Sequence, residues 1–175
     1  MNNKLFVFLF GLGQKHKFFG IAAKITAKYS YPFYYAVYLA GFALTLYRGE
    51  LRELFMYIFI PFTVYLINNF TRSKLNKKRP FQENDIKPLL EHKTSPSCPC
   101  NHAACAVVIA LVFTQTAVGF DSLPLICLGS AFIILAIFTG LSRVVCGIHY
   151  PRDIALGYFI GVFGWIVEYT ILSNL

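Results

Sequence analysis

The chain has 175 residues, of which 57% are hydrophobic and only 14% are charged, and its mean hydropathy is +0.57. A water-soluble domain carries about 25% charged residues, so this composition excludes a soluble globular protein. The charged residues cluster between apolar runs, which is typical of an integral membrane protein. The length corresponds to one domain, and residues 1–175 are treated as a single membrane-embedded unit.

The segment 1–29 is expected to form an amphipathic helix in the headgroup region and not a membrane span. The apolar residues after Lys4 end at Lys15 and Lys17, and these charges exclude a span through this segment. Farther along, lysines and apolar side chains occupy opposite faces at helical spacing. The apolar face consists of Phe18, Ala22, Ile25 and Tyr29.

Five later runs have about the 20 residues that are needed to cross ~30 Å of hydrocarbon. They are 31–48, 51–70, 103–120, 123–141 and 154–173. The sequence therefore predicts an all-α integral membrane bundle of about five transmembrane helices, six being possible, after the N-terminal interfacial helix.

The net charge of +8 is concentrated on one predicted side of the membrane. Fourteen of the sixteen Lys and Arg residues lie there, and only Arg48 and Arg52 lie on the other side. A basic membrane face suits anionic lipid headgroups and not nucleic acid. The 72–101 loop and the 142–153 connection are separated by two spans, so they face the same side.

Three polar segments on this side carry candidate chemistry. The first runs from Arg72 to Pro80, RSKLNKKRP, and its Arg72 and Arg79 can grip phosphate oxygens with guanidinium forks. A solvated basic loop, or an anchor on anionic lipid, is the alternative interpretation of this segment alone.

The second segment is SCPCNHA, from Ser97 to Ala103, where His102 stands at the expected start of a span. Backbone N–H groups at a helix start point at anions, and His102 could donate a proton to a leaving oxygen. Alternatively, His102 only caps the helix near the interface.

The third segment is SRVVCGIHYPRD, residues 142–153. Arg143 can hold a phosphate, His149 can attack it, and Asp153 lies four residues after the histidine on the same helical face. The carboxylate would then fix the tautomer of the ring and stabilise its positive form. An interfacial salt bridge is the alternative.

Two other interpretations of the cysteines are disfavoured. A zinc site from Cys98, Cys100, His102 and Cys105 would crowd its four ligands into eight residues, whereas zinc favours two separated pairs. The spacing of Cys146 and Arg152 matches a cysteine-dependent phosphatase loop, but the sequence context of that loop is missing.

In order, the three segments resemble the signature of the type 2 phosphatidic acid phosphatase (PAP2) superfamily, which also includes vanadium haloperoxidases. Its motifs read Lys-x6-Arg-Pro, Pro-Ser-Gly-His and Ser-Arg-x5-His-x3-Asp. The third motif is complete, as Ser142, Arg143, His149 and Asp153. The resemblance covers the chain from about residue 30 onward.

The first two motifs depart from the family pattern. Arg72 stands where the first motif has lysine, while Arg79-Pro80 is intact. In the second motif Pro99 and His102 match, but Cys100 and Asn101 replace serine and glycine.

The resemblance implies a lipid phosphatase that needs no metal or cofactor. His149 would form a phosphohistidine, Asp153 would orient it, and His102 would protonate the leaving group. The implied phosphate-binding residues are Arg72, Arg79, Arg143, Cys100 and Asn101. Undecaprenyl diphosphate is the favoured substrate, because short bacterial undecaprenyl-diphosphatases are the most similar members. Phosphatidate, phosphatidylglycerophosphate and lipid A phosphate are further candidates.

Two questions stay open at the level of sequence. An alcohol instead of water could resolve the phosphohistidine, which would make the protein a phosphotransferase, and a non-catalytic lipid-binding role is a further alternative. The family implies the bacterial cytoplasmic membrane with an outward-facing site. The excess of basic residues on the catalytic side predicts the opposite orientation. We follow the family.

Overall fold

The computed structural model describes residues 4–84 and 86–174, and these ranges form an all-helical bundle. The helices in these ranges are α1 (Lys4–Lys15), α2 (Lys17–Arg48), α3 (Leu51–Leu75), α4 (Pro80–Glu83), α5 (Asn101–Gly119), α6 (Leu123–Val145) and α7 (Pro151–Ser173). The described residues between α4 and α5 are irregular.

Four helical segments are long and apolar enough to cross a membrane. They are Leu51–Glu83, which includes α3 and the short α4, Asn101–Gly119, Leu123–Val145 and Pro151–Ser173. These segments confirm an integral membrane bundle and correspond to the last four of the five predicted spans.

The N-terminal third differs from the expectation. The interfacial helix predicted over 1–29 and the span predicted over 31–48 are not separate elements, because α2 runs unbroken from Lys17 to Arg48 and passes through Pro32. One face of this helix is buried along most of its length, which keeps it continuous; its buried residues include Ala23, Ala27, Ser30, Tyr34 and Val37. Residues 1–3 of the predicted interfacial helix lie outside the described ranges.

Helix α5 is the centre of the bundle and packs against α2, α3, α6 and α7. Its buried residues are mostly small, including Ala103, Ala104 and Val108. Small residues let membrane helices approach closely. At Gly157 of α7 a side chain would collide with the carbonyl group of Cys100. The start of α7 is therefore held against the start of α5.

Helix α1 packs on the connection between α6 and α7. The rings of Phe6 and Tyr150 lie 5.1 Å apart, and Phe10 fills the space beside Gly147. Gly147 has a φ of 76°, a left-handed conformation that favours glycine. The same connection is fixed from the loop before α5, because Leu89 donates its amide to the Cys146 carbonyl at 2.9 Å.

Candidate active site

Three connections meet at one end of the bundle. They are the end of α3 with the turn into α4, the segment that leads into α5, and the turn between α6 and α7. The structure brings the predicted histidines and arginines to this end, and Arg79 contacts His149 directly.

His149 lies in the turn between α6 and α7 and is 1% exposed. Its Nε2 is 3.1 Å from Nη1 of Arg79, and its Nδ1 is 3.2 Å from Oγ of Ser97. The Asp153 carboxylate is farther away, with 3.6 Å between Nδ1 and Oδ2. That distance exceeds a hydrogen bond, so the expected direct contact of histidine and aspartate is replaced by a serine hydroxyl between them.

Asp153 is fully buried at the start of α7. Its Oδ2 accepts hydrogen bonds from Ser97 Oγ and from the Tyr150 amide, the latter at 2.9 Å. Its backbone carbonyl accepts the Cys100 amide, also at 2.9 Å. Asp153, at the start of α7, therefore connects that helix to the segment that precedes α5 and, through Ser97, to His149.

Arg79 is fully buried and its guanidinium group is bound on every side. Nε donates to the Ser95 carbonyl at 2.9 Å, and Nη1 donates to the Ile148 carbonyl at 3.0 Å. Nη2 contacts Ser95 Oγ at 3.1 Å. Arg79 thus clamps the segment before α5 to the turn that carries His149, besides supplying positive charge.

The other two arginines approach from different helices. Arg72 donates from Nε to the Pro96 carbonyl at 2.7 Å, so it grips the same segment as Arg79. Arg143 is 3% exposed, and its Nη2 donates to Oγ of Ser30 on α2 at 3.1 Å. Nε of Arg143 has no hydrogen-bond partner among the described residues, and Arg143 is not among the residues that line the cavities at this end.

A cavity of about 220 Å³ opens beside these groups. It is lined by Tyr31, Tyr65, Arg72, Arg79, His92, Asn101, His102 and Cys105. His92 comes from the irregular loop, and its ring centre lies 6.5 Å from that of His149. The cavity has the size and the positive lining for a phosphate group.

A second, mostly apolar cavity of about 350 Å³ adjoins the first. Both are lined by Tyr31, Tyr65, His102 and Cys105, and the second extends between α2, α3 and α5. Tyr35 and Phe62 stand at its outer side, where they are 57% and 55% exposed on helices in the bundle. The polar cavity is therefore continuous with a groove that opens toward the hydrocarbon, and His102 stands at the junction.

Two replaced motif residues serve packing. The Cys100 side chain is fully buried, and the neighbouring His149 and His102 hold the pKa of its thiol well below the ordinary value, against the opposing effect of burial. The Asn101 amide donates to Oδ1 of Asn69 at 2.7 Å and accepts from the amide of Asn68. These hydrogen bonds of Asn101 hold the start of α5 against α3, and Asn101 also lines the cavity.

Protonation in this network follows from burial and from close partners. Burial lowers the pKa of His149, but the negative charge of the Cys100 thiolate and the contact with Asp153 raise it more, so that the pKa lies above its ordinary value. Burial lowers the pKa of His92 to about 4. His92 is therefore neutral near pH 7.

The alternative cysteine chemistry does not assemble. Cys146 is buried, and burial raises the pKa of its thiol to about 11. Arg152 instead stacks on the ring of Tyr150 at 5.0 Å. Over residues 4–84 and 86–174, no three His, Cys, Asp or Glu side chains form a group that could hold a metal ion.

Sequence reasoning missed four of the residues that build this site. Ser97, Asn68, Asn69 and His92 lie outside the motif positions, although Ser97 begins the segment SCPCNHA that contains the second motif. Runs of buried polar residues next to a motif are the signal that could have indicated Asn68 and Asn69.

The fold and the site define a multi-pass membrane protein with a buried histidine and arginine centre at one end of its helices. The PAP2 superfamily model matches residues 53–175, and the chain belongs to that superfamily. The transmembrane PAP2-type phosphatidylglycerolphosphate phosphatase from Bacillus subtilis has the same fold. Its TM-score is 0.57 at 19% identity, over 98% of this chain and 96% of that one.

Three curated relatives are similar in sequence. YbjG of Escherichia coli (strain K12), a provisionally named undecaprenyl-diphosphatase, is 31% identical over 114 residues, covering 65% of this chain and 54% of YbjG. The bacitracin transport permease protein BcrC of Bacillus licheniformis is 28% identical, covering 93% and 76%. The undecaprenyl-diphosphatase BcrC of Bacillus subtilis (strain 168) is 33% identical, covering 43% and 35%. The match to YbjG therefore spans about half of that relative's length.

Proposed function

We propose that the protein is a membrane lipid phosphatase that hydrolyses a lipid monophosphate or diphosphate, with undecaprenyl diphosphate as the favoured substrate. The observation that carries this proposal is the contact between His149 Nε2 and Arg79, because Arg79 lines a polar cavity, together with Arg72 and His102, that adjoins an apolar groove. Phosphatidate, phosphatidylglycerophosphate and lipid A phosphate are the other candidates. The names of the undecaprenyl-diphosphatase relatives favour the diphosphate.

The first step is attack by His149 on phosphorus. The Nε2 lone pair forms the N–P bond as the bond from phosphorus to the lipid oxygen breaks, and His102 gives its proton to that oxygen. Arg79 must first move its N–H from Nε2 to a phosphate oxygen. The arginines Arg72, Arg79 and Arg143, with free amides at the start of α5, stabilise the charge on the phosphoryl group.

The second step releases phosphate. Water attacks the phosphohistidine, His102 takes a proton from the water, and the N–P bond breaks so that His149 regains its lone pair. Both steps use side chains of this chain alone. The lipid chain stays in the groove between α2, α3 and α5, and lysines on the same end of the bundle contact anionic headgroups.

Phosphate release by the purified protein in detergent tests the proposal. We expect turnover of undecaprenyl diphosphate without added metal, and loss of at least about 1,000-fold in His149→Ala. His16→Ala is the matched control, because His16 is exposed between α1 and α2. No release from any of the four lipids by the folded wild-type protein would overturn the proposal.

Two rival functions make different predictions. A phosphotransferase would move the phosphoryl group to an added alcohol faster than to water, and product analysis with acceptor alcohols detects this. A non-catalytic lipid-binding protein would bind its lipid equally well after His149→Ala. The preserved geometry around His149 favours catalysis over this second rival.

The proposed location is the bacterial cytoplasmic membrane, with the active site on the outer side. Cysteines introduced at Lys87, in the loop before α5, and at Ser122, between α5 and α6, lie at opposite ends of the bundle. We expect a membrane-impermeant maleimide to label Lys87→Cys and not Ser122→Cys in intact cells. The reverse pattern would place the site in the cytoplasm, as the distribution of basic residues predicts.

A further inference from the structure

A serine stands between the histidine and the carboxylate that would orient it. Ser97 Oγ lies 3.2 Å from Nδ1 of His149 and bonds to Oδ2 of Asp153, while the direct distance from Nδ1 to Oδ2 is 3.6 Å. The Ser97 side chain is fully buried. Its hydroxyl therefore has these two partners at the centre of the site, with no access to water.

The directions of these hydrogen bonds follow from their outer partners. Arg79 has only donors, so the Nε2 it contacts is an acceptor and the ring proton sits on Nδ1. Nδ1–H then donates to Ser97 Oγ, and the hydroxyl proton of Ser97 goes to the Asp153 carboxylate. The resulting chain of hydrogen bonds runs from Arg79 through His149 and Ser97 to Asp153.

Ser97 is held in place independently of the two groups that it joins. Its own amide donates to the Lys77 carbonyl at 2.7 Å. The carbonyl of the preceding residue, Pro96, accepts Nε of Arg72 at 2.7 Å and lies 3.4 Å from Nη2 of Arg79. Two arginines and a backbone bond thus fix the segment, so the bridge is a built feature of the fold.

We propose that Ser97 is a positioning residue, which relays the Asp153 carboxylate to the imidazole of His149. This proposal rests on the proposed function, since His149 is the nucleophile there. The hydroxyl holds the tautomer that leaves Nε2 free to attack. It also transmits the negative charge that stabilises the ring when the N–P bond makes it positive.

Several other charged or titratable groups face His149 and set the background for its titration. They are Arg79 from the turn before α4, His92 from the loop, Cys100 and His102 at the start of α5, and Asp153 at the start of α7. The test must therefore change Ser97 alone and keep these groups.

Kinetics of three variants test the relay. Ser97→Ala removes the hydroxyl, Ser97→Thr keeps it, and Ser73→Ala is the control, because Ser73 is exposed at the same end of α3. In Ser97→Ala we expect kcat to fall at least about 10-fold, with KM changed less than about twofold. The acidic limb of the kcat/KM profile should move to lower pH, because protonated His149 loses its tie to the carboxylate.

Histidine NMR provides a readout that does not need turnover. The chain has four histidines, so 15N-histidine labelling in detergent gives four titrations, and His149→Gln assigns the relevant one. We expect the pKa of His149 to fall in Ser97→Ala and to be restored in Ser97→Thr. The control variant Ser73→Ala should leave it unchanged.

The outcomes separate the two proposals. A wild-type protein without phosphatase activity would remove the proposed function, while the NMR titration still decides whether Ser97 couples Asp153 to His149. An unchanged His149 pKa and pH profile in Ser97→Ala would overturn the relay. So would a loss of kcat in Ser97→Ala that occurs without any shift in pH dependence, since that is the result of a packing defect.

Discussion

Arg79 and His149 are joined in the ligand-free protein by a contact of 3.1 Å between Nη1 and Nε2. The atom proposed to attack phosphorus is therefore already occupied by an N–H group. A phosphate oxygen that accepts this N–H frees the lone pair at the moment the substrate arrives. Substrate binding and exposure of the nucleophile are then one event.

Replacement of Arg79 by lysine tests this arrangement. A single ammonium group cannot serve the Ser95 and Ile148 carbonyls together with a phosphate, because it lacks the planar fork. We expect Arg79→Lys to lower kcat/KM at least about 100-fold and to lower the melting temperature in detergent. Lys78→Ala, beside it in the chain and exposed, should change kcat/KM less than about threefold. A kcat/KM near that of the wild-type protein in Arg79→Lys would show that the contacts of the guanidinium group with the two carbonyls are not required.

Arg72 stands where the family signature has lysine, and Arg72→Lys restores that residue. The substitution keeps a positive charge at the cavity wall but loses the Nε contact with the Pro96 carbonyl. We expect a loss of about 3- to 10-fold in kcat/KM, against about 100-fold or more in Arg72→Ala. Equal losses of kcat/KM in Arg72→Lys and Arg72→Ala would show that Arg72 acts through the hydrogen-bond geometry of its guanidinium group and not through its charge.

Restoring the family glycine at Asn101 should damage this protein. Asn101→Gly leaves the fully buried Asn68 amide without its partner, at a cost of about 1–3 kcal/mol in the free energy of unfolding. We expect a lower melting temperature and weaker activity. The double variant Asn68→Ala/Asn101→Gly should recover part of the stability, because the buried Asn68 amide that lost its acceptor is then absent. If the stability losses of Asn68→Ala and Asn101→Gly simply add in the double variant, the two side chains are not energetically coupled.

The stability of the protein should depend on pH through His92. Its pKa is lowered to about 4 by burial, below the ordinary value of 6.5, so protonation favours the unfolded chain. The stability that neutral His92 contributes is complete above pH 6.5 and is lost as the pH falls toward 4. Thermal unfolding in detergent between pH 4 and 7 measures this. His92→Asn should flatten the dependence, whereas His16→Asn should leave it as in the wild-type protein.

Much of the fold was predictable, because hydropathy and motif order are local properties of the sequence. The lengths of the apolar runs predict the four spans from residue 51 onward. The number of spans between the motifs predicts that His102, Arg79 and His149 lie at the same end of the bundle. The unbroken α2 was not predictable, since lysines at residues 17–28 indicate an interface while the buried stripe through Ala27 and Ser30 depends on neighbouring helices.

The finer parts of the site depend on contacts between segments that are far apart in sequence. Asn68 and Asn101 are 33 residues apart, and Ser97 and Asp153 are 56 apart. No periodicity or spacing in one sequence indicates such pairs. The sequence predicted a direct contact of His149 with Asp153 and gave no sign of the serine that lies between them.

The groove that joins the polar cavity to the hydrocarbon has a consequence for how the enzyme meets its substrate. A lipid that enters sideways between α2 and α3 does not leave the bilayer at any step, and only inorganic phosphate passes into water. The effective substrate concentration is then the mole fraction of the lipid in the membrane plane. Added inert lipid or detergent should slow turnover by dilution in two dimensions, even when the bulk concentration of substrate is constant.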